Sequence, residues 1–156
     1  MDTEALKSLL SDFDIAKFIP NLDTVLGWLE MLARIAVMAG PVLMLGLGLL
    51  YLLAPPKEAN YRLGYRFWWS MASLDAWQYT HHLAGMVFTT LGVILTVLMS
   101  LICNGFRGME TEAMAWSALR CVLWSVGLTV AACLFIDIMV IVTFDKDGFR
   151  RKESVE

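Results

Sequence analysis

Charge is scarce in this chain. Asp, Glu, Lys and Arg make up 17% of the 156 residues, against about 25% in an average soluble domain. A basic excess is also missing: 12 Lys and Arg stand against 15 Asp and Glu, a net charge of −3. That excludes the electropositive balance of a nucleic-acid-binding domain. Three cysteines in apolar settings are too few for a disulfide framework or a zinc site. The only histidines, His81 and His82, are adjacent. A b-type haem wants facing histidines on two helices, so it too is excluded within one copy. No glycine-rich phosphate loop, nucleophile–base spacing or carboxylate pair on one helix appears. The expectation is therefore a non-enzymatic protein with no cofactor and no resident metal. What is abundant is apolar surface: 58% of residues are hydrophobic and mean hydropathy is +0.64. These residues fall into three long runs, the mark of an integral membrane protein rather than a disordered tail or secreted scaffold.

The first uncharged run extends from Ile35 to Pro56. Its nineteen residues Ile35 to Leu53 would rise about 28 Å as a helix, close to the hydrocarbon thickness of a bilayer. Thr24 is a candidate N-cap, and Glu30 and Arg34 have the favourable i,i+4 order. Pro41 predicts a kink inside the span, and Pro55-Pro56 its end. Nor does this run resemble a cleaved signal peptide: it begins too late, is too long, and lacks a small-residue cleavage site. The second run, Leu83 to Leu101, follows a start near Leu74 with Ser73 as N-cap and Asp75 in the first turn. Asn104-Gly105 stops it. The third, Cys121 to Phe144, carries one charge, Asp137. The expected fold is all-α: a polytopic membrane protein with transmembrane helices at about 24–54, 76–103 and 118–144 and a loop at 55–75. Small residues at Gly40, Gly46, Gly48, Gly85, Gly92 and Gly127 suggest close helix contacts, within one copy or in a homo-oligomer. Cys103 and Cys121 flank the loop between the last two spans. They either pair or stay as buried thiols.

Residues 1–21 form a separate segment. Leu6, Leu9, Leu10 and Phe13 recur at helical spacing, with Thr3 as candidate N-cap. The amphipathic helix so predicted has an acidic face of Asp2, Glu4, Asp12 and Asp14, a poor match to an anionic lipid surface. It either lies at the interface, folds back on the bundle, or docks a partner. Positive charge sets the orientation. Lys57, Arg62, Arg66, Lys146, Arg150, Arg151 and Lys152 share one side, while Lys7, Lys17, Arg107 and Arg120 share the other. The first loop and the C-terminus are therefore expected in the cytoplasm and the N-terminus outside.

The loop at 55–75 is too aromatic for an idle connector. Tyr61, Tyr65, Phe67, Trp68, Trp69 and Trp77 are rings suited to the headgroup level. Its polar residues are ordered as well. Asn60, Gly64 and Arg66 suggest a turn presenting a guanidinium near the membrane, which wants a carboxylate, a phosphate or helix carbonyls. Trp77, His81 and Gly85 follow at i, i+4 and i+8 on one helix face.

This pattern, Asn60-x-x-x-Gly64-Tyr65-Arg66 and then Trp77-x-x-x-His81-x-x-x-Gly85, resembles the signature of the SdpI family of bacterial integral membrane proteins. Ser70, Ser73 and Asp75 occupy the intervening positions of that signature. The resemblance covers the first loop and second span closely and the three-span layout more loosely. It implies a protein of the bacterial cytoplasmic membrane that protects against a membrane-active peptide toxin, or relays its presence to a cytoplasmic regulator. The family-motif positions Asn60, Gly64, Arg66, Ser70, Asp75, Trp77, His81 and Gly85 are then the candidate binding residues.

Asp137 is the only ionisable residue deep in a span, where charge costs roughly 2.5–3.5 kcal/mol unless it faces protein or water. It shares an end of the bundle with Arg66, His81 and His82. Three readings stay open for this cluster. Asp137 is tethered to His81 or Arg66; or Asp137, His81 and His82 form a proton- or ligand-responsive relay; or the three hold a metal, against which adjacent histidines diverge by about 100° on a helix. The relay would suit a small oligomeric transporter or channel subunit. An accessory subunit docking through the acidic N-terminal helix is a further alternative. Apart from the bilayer, the expected partners are thus a peptide toxin, a regulator or a second copy, and no nucleic acid.

Overall fold

The computed structural model of the protein describes residues 22–56 and 64–151. The expected N-terminal helix of residues 1–21, and Asn60 with its neighbours, lie outside the described residues. Within them the chain folds into three long α-helices and no strand: α1 (Leu22–Leu53), α2 (Leu74–Asn104) and α3 (Thr111–Thr143). A single 3₁₀ turn, Trp69–Met71, precedes α2. All three helices are long and apolar enough to cross a membrane. Their outward faces carry Leu43, Leu53, Leu123, Trp124 and Val142, all exposed. That surface suits lipid and would be untenable in water.

Helix α1 is already formed at Leu22, so Thr24 sits inside its first turn and is not the N-cap. The Glu30–Arg34 pair forms as spaced, with Arg34 Nη2 2.6 Å from Glu30 Oε1. Pro41 lies within a continuous helix and is fully buried. A ring that lacks an N–H loses least where neighbouring helices cover it.

Helix α2 begins where Ser73 caps it. The Ser73 hydroxyl accepts from the Ala76 amide at 3.1 Å, from an extended backbone. Its end at Asn104 is closed by Gly105, whose amide donates to the Ile102 carbonyl at 2.9 Å. Helix α3 starts at Thr111, well before the span expected from hydropathy. Residues such as Ala113, Met114, Ala115 and Ala118 are strong helix formers, and Met114 and Ala118 are buried in the core. At 33 residues the helix is about 50 Å long, beyond the roughly 30 Å of hydrocarbon. An uncharged run marks only the lipid-facing part of such a helix.

Glycines bring α1 and α2 together. A Cβ on Gly92 would lie 2.7 Å from the Leu45 amide nitrogen, and one on Gly85 2.9 Å from the Leu52 side chain. Gly48 similarly abuts Thr89. Gly46 and Gly127, by contrast, have nothing within 4 Å of a would-be Cβ, so neither mediates a contact among the described residues. A Cβ on Gly40 would meet Ser125 of α3 at an ordinary 3.8 Å. Helix α3 therefore packs on the α1–α2 pair through side chains, chiefly Cys121, Ala132, Ile136 and Val140. Cys103 and Cys121 are buried free thiols and do not pair.

After α3 the chain turns back on itself. Asp145 Oδ1 accepts from the amides of Asp147 (3.0 Å) and Phe149 (2.9 Å), and Gly148 takes φ +81°. This turn lands on the start of α2. The Gly148 carbonyl accepts from Ser73 Oγ at 2.8 Å, and Arg150 Nε sits 2.8 Å from Asp75 Oδ2. One serine thus caps a helix and holds the C-terminal turn.

Candidate functional site

The end of the bundle carrying the first loop holds most of the side-chain hydrogen bonds among the described residues, and α2 organises them. Trp77 and His81, one turn apart, both face inward and are fully buried. Trp77 Nε1 donates to the Pro56 carbonyl at 2.9 Å, tying the end of α1 to α2. His81 makes two bonds. Its Nε2 accepts from the Tyr65 amide at 2.9 Å, and its Nδ1 lies 2.8 Å from the Trp77 carbonyl. An amide only donates and a carbonyl only accepts. The ring is therefore assigned as neutral, with the proton on Nδ1. The Trp77 ring packs on His81 with centroids 4.2 Å apart, and Tyr51 of α1 meets it edge-on at 5.0 Å.

Only glycine can sit directly above this pair. Gly64 has φ +136°, and a Cβ there would lie 2.7 Å from both His81 Nε2 and the Trp77 ring. Tyr65 then turns inward. Its hydroxyl donates to Asp137 Oδ1 at 2.8 Å and lies 3.1 Å from the Cys133 carbonyl, so one proton serves a side chain and a backbone group of α3. Its ring packs near Phe88, at 6.2 Å between centroids. Burial, and after it the bond to Asp137, pushes the Tyr65 phenol above its ordinary range, so it stays a donor at neutral pH. Ser70, also fully buried, closes the segment: its hydroxyl accepts from the Phe67 amide at 3.1 Å and donates to the Phe67 carbonyl at 2.8 Å.

The candidate residues thus sort by location. Gly64, Ser70, Trp77 and His81 form one knot with Tyr65. Gly85, a turn below, is the point where Leu52 of α1 packs. Asp75 sits at the outer end, paired with Arg150. Arg66 is exposed and makes no hydrogen bond or ion pair among the described residues. The tether expected from Asp137 to His81 or Arg66 is not made; Tyr65 takes that place. His82 is exposed on a different face of α2, beside Pro55, Pro56 and Gln78. Asp137, His81 and His82 consequently do not converge on one point, because adjacent helical residues diverge.

Two of the aromatic assignments change. Trp68 is 79% exposed, as a headgroup-level ring should be. Trp77 and Tyr65 instead point into the bundle, each drawn by a polar partner that a lipid-facing ring would lack. Sequence patterning missed Tyr65 as a site residue. The available signal was a lone carboxylate in the third span, needing a neutral donor at the same end.

Beside this knot a groove of about 540 Å³ opens between α1 and α3. Val37, Gly40 and Met44 line one wall, and Val122, Ser125 and Val126 the other; Phe88 of α2 forms the back. Tyr51, Gly64, Tyr65 and Arg66 close one end. Ser125 is 5% exposed, and its hydroxyl has no hydrogen-bond partner among the described residues.

Three membrane-length helices, a short connector folded into their shared end and an exterior clad in aliphatic side chains define a small polytopic α-helical membrane protein. Residues 57–144 match the SdpI/YfhL protein family. That is more than half of the chain, and the protein belongs to this family. The match spans the knot from Gly64 to Asp137. Comparison with curated proteins gave no match, and neither did comparison with solved structures.

Proposed function

We propose that this SdpI-family protein is a non-enzymatic membrane protein that protects against, or senses, a membrane-active peptide. The peptide enters sideways from the bilayer, laying an apolar segment in the groove between α1 and α3. The observation supporting this is the double duty of Gly64-Tyr65-Arg66. The same three residues close one end of the groove and, through His81 and Asp137, tie the loop to α2 and α3. A segment wedged into the groove would press on Tyr65, and the Tyr65 segment leads through Ser70 to the start of α2 and the C-terminal turn. With the first loop and C-terminus in the cytoplasm of a bacterial cell, that turn is where a regulator would read the change.

The test is protection of cells challenged with a cognate secreted peptide. Arg66→Ala and Trp77→Ala are expected to abolish protection while the protein still reaches the membrane. No protection by the wild-type chain at confirmed membrane levels would sink the proposal. A proton relay through Asp137 and His81 finds no support in the geometry. The link between them passes through the Tyr65 backbone amide, which does not exchange its proton as an acid–base carrier does.

A further inference from the structure

Among the described residues, Arg66 is the one cation at the mouth of a groove that is otherwise almost wholly apolar, and no acidic side chain among them lines it. Its guanidinium has no carboxylate partner among the described residues, and at the edge of a hydrophobic slot it presents donors for an anion. Along α1 the slot runs from Ala36 to Tyr51, about 22 Å at helical rise. Along α3 it runs from Val122 to Cys133, about 16 Å. One leaflet contributes about 15 Å of hydrocarbon, half the bilayer core. The slot is therefore as deep as one acyl chain of one leaflet, and its volume lies in the range of ligand-sized cavities.

From this match of depth and charge we infer that the groove binds an anionic phospholipid, with one acyl chain between α1 and α3 and the phosphate on Arg66. The inference does not depend on the peptide reading. A lipid resident in the groove is what an entering peptide would displace, but the lipid site stands or falls alone. Gly40 matters here because it has no side chain on this wall: a Cβ there would already reach ordinary contact, 3.8 Å, with Ser125 Cβ on the facing wall, and a larger side chain would bridge the two walls. Bridging would exclude the chain while leaving Arg66 in place.

The test is native mass spectrometry of the full chain released from mild detergent, with dioleoyl phosphatidylglycerol or dioleoyl phosphatidylcholine added at equal concentration. Phosphatidylglycerol adducts are expected to exceed phosphatidylcholine adducts by about five- to tenfold, the worth of one charge-assisted contact near a membrane surface. Arg66→Gln should erase that preference and Arg66→Lys should largely keep it, which separates lost charge from misfolding. Gly40→Leu should reduce adducts of both lipids at unchanged helix content. Millimolar inorganic phosphate should not compete, since it lacks the chain. Equal adducts of the two lipids in the wild-type protein, a preference that survives Arg66→Gln, or full competition by phosphate would each overturn the inference. Absence of lipid adducts together with photo-crosslinking of a peptide in the groove would overturn it too, and would leave the peptide reading intact.

Discussion

Replacing Tyr65 with Phe removes one oxygen from the centre of the polar knot and leaves the ring in place against Phe88. The structure shows what that oxygen does: it donates to Asp137 Oδ1 at 2.8 Å and lies 3.1 Å from the Cys133 carbonyl. A hydrogen bond of this kind contributes about 0.5–1.5 kcal/mol net, and stranding a buried acceptor costs about 1–3 kcal/mol. Asp137 is only partly buried, so water can recover some of that loss, and we expect Tyr65→Phe to cost about 2 kcal/mol. For a chain of this size that corresponds to a fall of roughly 4–8 °C in midpoint. The assay is thermal unfolding in detergent or lipid nanodiscs at a fixed scan rate, since membrane proteins commonly unfold irreversibly. The decisive comparison is a double-mutant cycle with Asp137→Leu. Removing both partners should cost about 1–2 kcal/mol less than the sum of the single changes, because no acceptor is then stranded. The phenol also fixes a pH signature. Its folded-state pKa is raised above the ordinary 10.0, by burial first and then by Asp137. The unfolded chain therefore loses this proton first as pH rises. The Tyr65 contribution is complete below pH 10 and declines above it, a dependence that Tyr65→Phe should abolish. Wild-type stability in Tyr65→Phe, or simple additivity in the cycle, would refute the idea that this hydroxyl holds the loop to α3.

Other substitutions probe the remaining joints. Gly64→Ala should destabilise by about 2–3 kcal/mol in the same assay, because φ +136° and the 2.7 Å approach to His81 both oppose a side chain. Gly92→Ala should cost about 1–3 kcal/mol by forcing α1 and α2 apart, whereas Gly127→Ala, with nothing within 4 Å, should be neutral or slightly stabilising in parallel melts. Asp75→Ala should cost under about 1 kcal/mol, and the cost should shrink further in high salt, since the pair with Arg150 is exposed.

Much of the architecture is legible in the sequence. The helix ends followed local chemistry where that chemistry was strong: Ser73 at the start of α2, Gly105 at its end, and Pro55 after α1. The Glu30–Arg34 pair formed as spaced, since both partners lie on one helix. Boundaries failed where the signal was negative. Helix α3 continues through Glu112 and Arg120 because helix propensity ignores the charges that end a hydropathy window. Thr24, a good cap by type, was overridden because the helix already extended past it. Site residues divide in the same way. Trp77, His81 and Gly85 share a face by periodicity alone, and they do share it. Which of Arg66, His81 or Tyr65 reaches Asp137 depended on the path of the Gly64 turn, and no spacing rule encodes that path.

By itself, the sequence determined that this is a three-span helical membrane protein with one polar-rich end. Uncharged runs of bilayer length and a single intramembrane carboxylate allow little else. The tertiary structure alone decided that Tyr65 faces inward, that His82 stands apart from His81, and that a groove ending at Arg66 opens between α1 and α3. Each of these rests on which helix faces meet. That is set by the close glycine packing of α1 on α2 and the looser side-chain packing of α3 against them.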